Sequence, residues 1–149
     1  MGFFDKGDFI LEFEDETAKN EIEGLDLKTI KAWNRGEPED IELILDGRSN
    51  LIEFGYRTKD LRDLRKLSRS DQKKSLEQFF KLFDSFEVIP QSGTVRQIKD
   101  IIILAGFFIE KMKLKDGQEM EAKVRYTATF IKINGEWQQI LAHRDSQFG

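Results

Sequence analysis

Three residues near the C-terminus have the types and spacing to do chemistry. They lie in YTATFIKINGEWQQILAHRDSQF, residues 126–148, and they are Tyr126, His143 and Asp145. His143 is the single histidine of the 149-residue chain. On a strand, His143 and Asp145 share one face and stand roughly 6–7 Å apart along it. A carboxyl in apolar surroundings has its pKa raised and can accept a proton near neutrality. The imidazole could donate to a developing oxyanion or shuttle a proton, and the Tyr126 phenol could donate to an enolate oxygen. Alternatively, Tyr126 and His143 satisfy each other and Asp145 sits in water at a rim.

What positions these groups is a pair of hairpins. Asn134-Gly135 and Asp116-Gly117 each separate two apolar-rich runs. Both dipeptides tolerate positive φ and favour two-residue turns, which set strand register. Counting back from Asn134-Gly135 pairs Phe130 with Gln139, Ala128 with Leu141, Tyr126 with His143 and Val124 with Asp145. Counting from Asp116-Gly117 pairs Ala105 with Ala128, Phe107 with Tyr126 and Ile109 with Val124. Side chains alternate faces. One face therefore collects Ile103, Ala105, Phe107, Ile109, Val124, Ala128, Phe130 and Leu141, and is expected to lie under the helices. Tyr126, His143 and Asp145 are expected on that face at one end. The other face carries Phe108, Thr129, Ile131 and Ile140 beside Arg125 and Arg144. It is too apolar to be simply wet, and a second copy of the chain is expected to cover it. Arg125 opposite Arg144 is a like-charge pair that wants an acid, from Glu110 or from a partner.

Upstream the periodicity is helical. Ile22, Leu25, Ile30 and Trp33 mark a first helix, and "NRGEP" ends it. Pro38 suits the first position of the next helix, "PEDIELIL". Leu76, Phe79, Phe80 and Phe83 recur at i, i+3, i+4, i+7 on a helix that starts near Ser68 or Ser70. "NLIEFGY" (residues 50–56) reads as a short strand, and "FEVIPQSG" as a strand ending at Pro90. Trp33 and Tyr56 are expected at the helix–sheet junction, with pocket lining as the other reading.

Bulk composition narrows the function. The length favours one domain with a real core. A net charge of −4 makes nucleic acid an unexpected partner. Residues 57–74 hold eight bases against three acids, but without interleaved aromatics they do not make a single-strand binder. Residues 1–23 hold eight acids against two bases, a solvated arm or one that lies on the basic segment. No cysteine is present, which removes disulfides, thiolate ligands and cysteine nucleophiles. One histidine and no calcium-loop spacing leave no metal site to argue, and no cofactor is expected. The longest apolar run, Ile101–Ile109, is strand length, far below the roughly 20 residues of a membrane span. The start "MGFFDKGDFI" is not read as a signal peptide, and Lys6 stands where a myristoylation motif has Ser or Thr. A cytoplasmic protein is expected.

Three stretches, "AWNRGEPEDIELIL", "LEQFFKLFDSF" and the closing "RYTATFIKINGEWQQILAHRDSQF", resemble the nuclear transport factor two-like superfamily, in particular its SnoaL-like branch. The closing hairpin with "GEW" and a late histidine is the most specific piece. The resemblance spans roughly residues 15–148. It implies an α+β cone in which a curved antiparallel sheet wraps a long helix and leaves a pocket open at one end. Residues 1–14 would be an N-terminal extension and 15–149 the cone domain. It also implies a homodimer through the outer sheet face. Functions in the superfamily diverge, so fold does not settle function. The expected function is binding of a small, largely apolar molecule, with proton-transfer chemistry of the isomerase, cyclase or dehydratase kind as an open question. Asp145, His143 and Tyr126 would be the catalytic groups, and Trp33, Tyr56, Phe107 and Phe130 the ligand contacts. The alternative is a non-catalytic association module whose cone is filled by its own side chains.

Overall fold

A computed structural model describes residues 2–48, 52–54, 64–66 and 68–148. The elements follow from local sequence. A short 3-10 turn (Phe3–Lys6) leads into strand β1 (Asp8–Glu12). Helix α1 (Glu16–Arg35) begins where the Asp15 carboxylate accepts the Ala18 N–H at 2.6 Å, satisfying a donor the helix leaves open. It ends at Gly36, whose φ of 67° is a left-handed conformation that suits glycine. Pro38 opens α2 (Pro38–Asp46). The corner between the helices is clamped by Asp40, which accepts from Arg35 at 2.5 Å and from the Glu37 N–H at 3.0 Å. The Arg35 guanidinium holds this buried carboxyl below its ordinary range. Helix α3 (Arg69–Leu82) starts as expected at Ser68, whose hydroxyl accepts the Asp71 N–H at 3.1 Å.

The remaining strands are β2 (Ile52–Phe54), β3 (Leu64–Lys66), β4 (Phe83–Ile98), β5 (Ile101–Leu114), β6 (Glu119–Ile133) and β7 (Glu136–Phe148). With β1 they form one seven-stranded sheet in the order β1-β4-β5-β6-β7-β2-β3. The sheet is mixed, not purely antiparallel, because β1 runs parallel to β4 and β2 parallel to β7. Strand β4 also does not stop at Pro90. It continues to Ile98, with an irregularity between Pro90 and Ser92. Proline is tolerated there because β1 begins pairing with β4 only at Ser92, so no ladder hydrogen bond to β1 calls for its missing N–H.

The architecture is an α+β cone. Ala18 and Ile22 of α1 pack with Val95, Ile102, Leu104, Phe108 and Phe130 on the inner face of the sheet. The 3-10 turn adds Phe3 and Phe4 to the same core. A second cluster of Ala32, Ile41, Ile44, Leu45 and Leu76 ties the three helices together, with Trp33 and Phe80 at its edge. The acidic N-terminal arm lies along β4, where Glu12 pairs with Arg96 at 3.6 Å. In the described part of the basic segment, Arg69 and Lys73 meet Glu42 and Asp46.

Two register counts change. Asn134 (φ 52°) and Gly135 (φ 81°) do form the expected turn, and Phe130 does face Gln139. One residue further on, the β7 strand bulges. Ile140 has no partner, Thr129 pairs with Leu141 and Ala128 with Ala142. From there every β7 side chain faces opposite to the count. At the other hairpin the turn has three residues, not two: the Leu114 N–H donates to the Gln118 carbonyl across Lys115-Asp116-Gly117. Lys113 faces Glu119, and the Asp116 carboxylate accepts the Gln118 N–H at 2.9 Å. That one-residue difference puts Leu104 opposite Ala128 and Phe108 opposite Val124. Ile103 and Phe107 consequently face outward, and Leu104 and Phe108 face the core. The expected inner set on β6 (Val124, Ala128, Phe130) is inside as read.

Candidate functional site

The bulge decides which titratable groups meet. Inside the cone, Tyr126 is half-buried and its hydroxyl accepts from the Gln139 side-chain amide. Arg144 lies beside Tyr126 on the neighbouring strand and reaches across β6 to the Glu110 carboxylate on β5. This crossing is possible because Ala122 and Val124, between them, are small. The Glu110 side chain is only 13% exposed and that of Arg144 25%. Burial pushes the Glu110 carboxyl above its ordinary value, against the pull of Arg144. A polar strip of Gln139, Tyr126, Arg144 and Glu110 thus crosses an otherwise apolar inner face.

Outside the cone, His143 lies opposite Thr127 and Asp145 opposite Arg125. Asp145 accepts from Arg125 at 2.5 Å, and its other oxygen stands 3.4 Å from His143 Nε2. The hydrogen bond from Arg125 holds the Asp145 carboxyl below its usual range. Tyr126, His143 and Asp145 are therefore not brought together: the sheet stands between the phenol and the other two. Phe107 is 54% exposed on the outer face, away from the interior. Phe130 is buried inside. Trp33 sits in an aromatic group with Phe79, Phe80 and Phe86 at centroid distances of 5.2 to 6.0 Å. Tyr56 lies outside the described residues.

Of the residues expected to form a dimer face, Thr129 and Ile131 do lie on the outer side, half-buried. Phe108 does not: it packs against Phe3, Phe9 and Tyr126 in the core. Ile140 is the unpaired bulge residue. The outer face instead presents Ile98, Ile101, Ile103, Phe107 and Leu141, all exposed. Beside Phe107 runs a groove of about 470 Å³, bounded by Ile109, Lys123, Arg125, Asp145 and Gln147. The "GEW" motif has a structural role, since Trp137 is buried and its indole N–H donates to Glu21 on α1 at 2.8 Å.

Sequence reasoning had Glu110 and Arg144 in view as partners but on the wrong side of the sheet. A signal for the bulge was present in Ile140-Leu141-Ala142, three apolar residues in a row where strict alternation allows none.

Among the described residues no helix is long and apolar enough to cross a membrane. No protein-family model and no curated protein matches the chain. Solved structures do match. An inferred calcium/calmodulin-dependent protein kinase II association domain from Xanthomonas campestris superposes with a TM-score of 0.70 at 20% identity, over 99% of this chain and 97% of that one. A hexachlorocyclohexane dehydrochlorinase, LinA type 2, gives a TM-score of 0.71 at 9% identity over 90% and 88%. A nuclear transport factor 2-like superfamily protein from Salmonella enterica gives 0.68 at 13% over 87% and 91%. At these identities the likeness is one of fold, and the chain has the nuclear transport factor 2-like fold.

Proposed function

We propose that this protein is a non-catalytic association module that acts as a homodimer joined through the outer face of its sheet. The observation that carries the reading is the uncovered apolar surface of Ile98, Ile101, Ile103, Phe107 and Leu141, over which no described helix packs. A patch of this kind marks an interaction surface, and a two-fold dimer uses one self-complementary patch twice. The polar groups fit the same reading. Inside, Glu110 is engaged by Arg144 and Tyr126 by Gln139. Outside, Arg125 keeps Asp145 a weak base. The Xanthomonas campestris neighbour is named for association rather than reaction. A cytoplasmic setting belongs to the same proposal and rests on the cysteine-free chain; cell fractionation tests it. Sedimentation equilibrium tests the dimer. The wild type should sediment as a dimer at micromolar concentration, and Phe107→Arg and Ile103→Arg as folded monomers. A monomeric wild type at that concentration would refute the proposal.

A second reading is favoured by one observation. A carboxyl with a raised pKa, an arginine and a tyrosine share the inner face, and a few polar groups in an apolar concavity are what a small-molecule site requires. In this reading Glu110, not Asp145, is the proton acceptor, and Arg144 and Tyr126 hold the ligand's polar end. The LinA neighbour, named as a dehydrochlorinase, shares the fold. A thermal-shift ligand screen on wild type and Glu110→Gln separates the two. A ligand at 100 times its dissociation constant adds about 2.7 kcal/mol, and its complete absence from a broad apolar library leaves the association module standing.

A further inference from the structure

The N-terminal segment enters the cone as a ligand would. Phe3 and Phe4 are 5% and 2% exposed, buried more deeply than many residues of the sheet itself. The Phe3 ring stacks on Phe108 at 6.3 Å, and Phe9 packs on Phe108 at 5.7 Å and on Phe4 at 5.2 Å. Phe108 in turn meets the edge of Tyr126 at 6.3 Å, so these rings adjoin the polar strip. The receptacle is made by a missing side chain. A Cβ on Gly106 would come within 2.9 Å of the Phe9 ring and 3.2 Å of the Phe108 ring. The Phe9 ring therefore lies over bare β5 backbone, in space that any side chain at 106 would fill.

The strand that delivers Phe9 is hydrogen-bonded on one side only. Strand β1 pairs with β4 over five residues and is the edge of the sheet, whereas β5 and β6 are paired on both sides. The 3-10 turn closes on itself, through Gly7 N–H to the Phe4 carbonyl and Gly2 N–H to the Asp5 carboxylate. A strand with a ladder on one side has fewer backbone hydrogen bonds to break in a local opening than a central strand.

We infer that the space under β4 and β5 occupied by Phe3 and Phe9 is a binding site for an aromatic ring, which residues 3–12 fill as a displaceable internal ligand. The external ligand it takes is a planar mono- or bicyclic aromatic molecule, stacked on Phe108 with a polar edge toward Tyr126 and Gln139. The inference is independent of the outer-face dimer, whose mass is read separately.

Hydrogen exchange on the full-length protein with indole as probe tests it. In the wild type, residues 3–12 should exchange at least tenfold faster than β5 and β6. Indole should speed exchange in residues 3–12 further and slow it in peptides containing Phe108 and Tyr126. The double substitution Asp8→Cys/Ser92→Cys supplies a lock. These residues are register partners, and neighbouring strands stand about 4.8 Å apart, within the span of a disulfide. The chain has no other thiol to interfere. Oxidation should weaken indole binding at least tenfold, and reduction should restore it. A second pair of substitutions, Phe3→Leu/Phe9→Leu, keeps the core apolar while removing the competing rings, and should tighten indole binding at least tenfold over wild type. Equal binding to the oxidised and reduced forms overturns the inference. So does exchange in residues 3–12 that occurs only with global unfolding, or unchanged binding in the leucine variant.

Discussion

Two carboxylate–arginine pairs meet at adjacent residues of β7 and have opposite characters. Arg144 turns inward to Glu110, and Asp145 turns outward to Arg125. The Glu110 side chain is 13% exposed and that of Asp145 46%. Inside, the cost of stripping water from the carboxylate outweighs the attraction of its arginine, and the pKa rises. Outside, water remains, the hydrogen bond from Arg125 dominates, and the pKa falls. The chemistry of the two pairs is the same. The face of the sheet decides whether the acid is strong or weak, and a single bulge residue, Ile140, decides the face.

Arg144→Leu should break the comparison with the largest effect, because it leaves Glu110 buried and unpaired. Loss of one partner of such a pair costs about 3–5 kcal/mol. Adding Glu110→Met should recover most of it, since a well-packed apolar pair can replace a buried ionic one. Failure of that rescue would mean that Arg144 is held by more than Glu110.

A smaller effect lies in pH. The raised Glu110 favours the neutral carboxyl in the fold, so its contribution is fully present below the ordinary value of 4.5 and is lost as pH rises through the raised value. Asp145 behaves oppositely: its contribution is present above the ordinary 3.8 and is lost as pH falls through the lowered value. Denaturation of wild type against Glu110→Gln should therefore show a difference that shrinks with rising pH above 4.5. Against Asp145→Asn the difference should shrink with falling pH below 3.8. The smallest effect is Asp145→Asn at neutral pH. Exposed pairs contribute little, and the midpoint should move only slightly. A larger loss that appears only at concentrations where the protein is dimeric would put Asp145 within the proposed outer-face interface.

Much of this was determined by the sequence alone. Ser68 and Pro38 start their helices by local capping and ring geometry, and Gly36 ends one by its left-handed φ. These are interactions within a few residues, so local chemistry suffices to read them. Asn134-Gly135 made its turn for the same reason, and the alternating pattern of β6 placed Val124, Ala128 and Phe130 inside. The tertiary structure decided the rest. Strand β5 begins Ile101-Ile102-Ile103-Leu104, apolar on both faces, so periodicity could not choose its inner side. The choice came from the three-residue turn and from which rings α1 and the N-terminal segment could pack against. The burial of Phe3 and Phe4 likewise depends on a parallel edge formed with residues more than eighty positions away. The constellation of Tyr126, His143 and Asp145 failed for a related reason. A strand has a period of two, so one extra residue at Ile140 exchanges every later side chain between core and solvent.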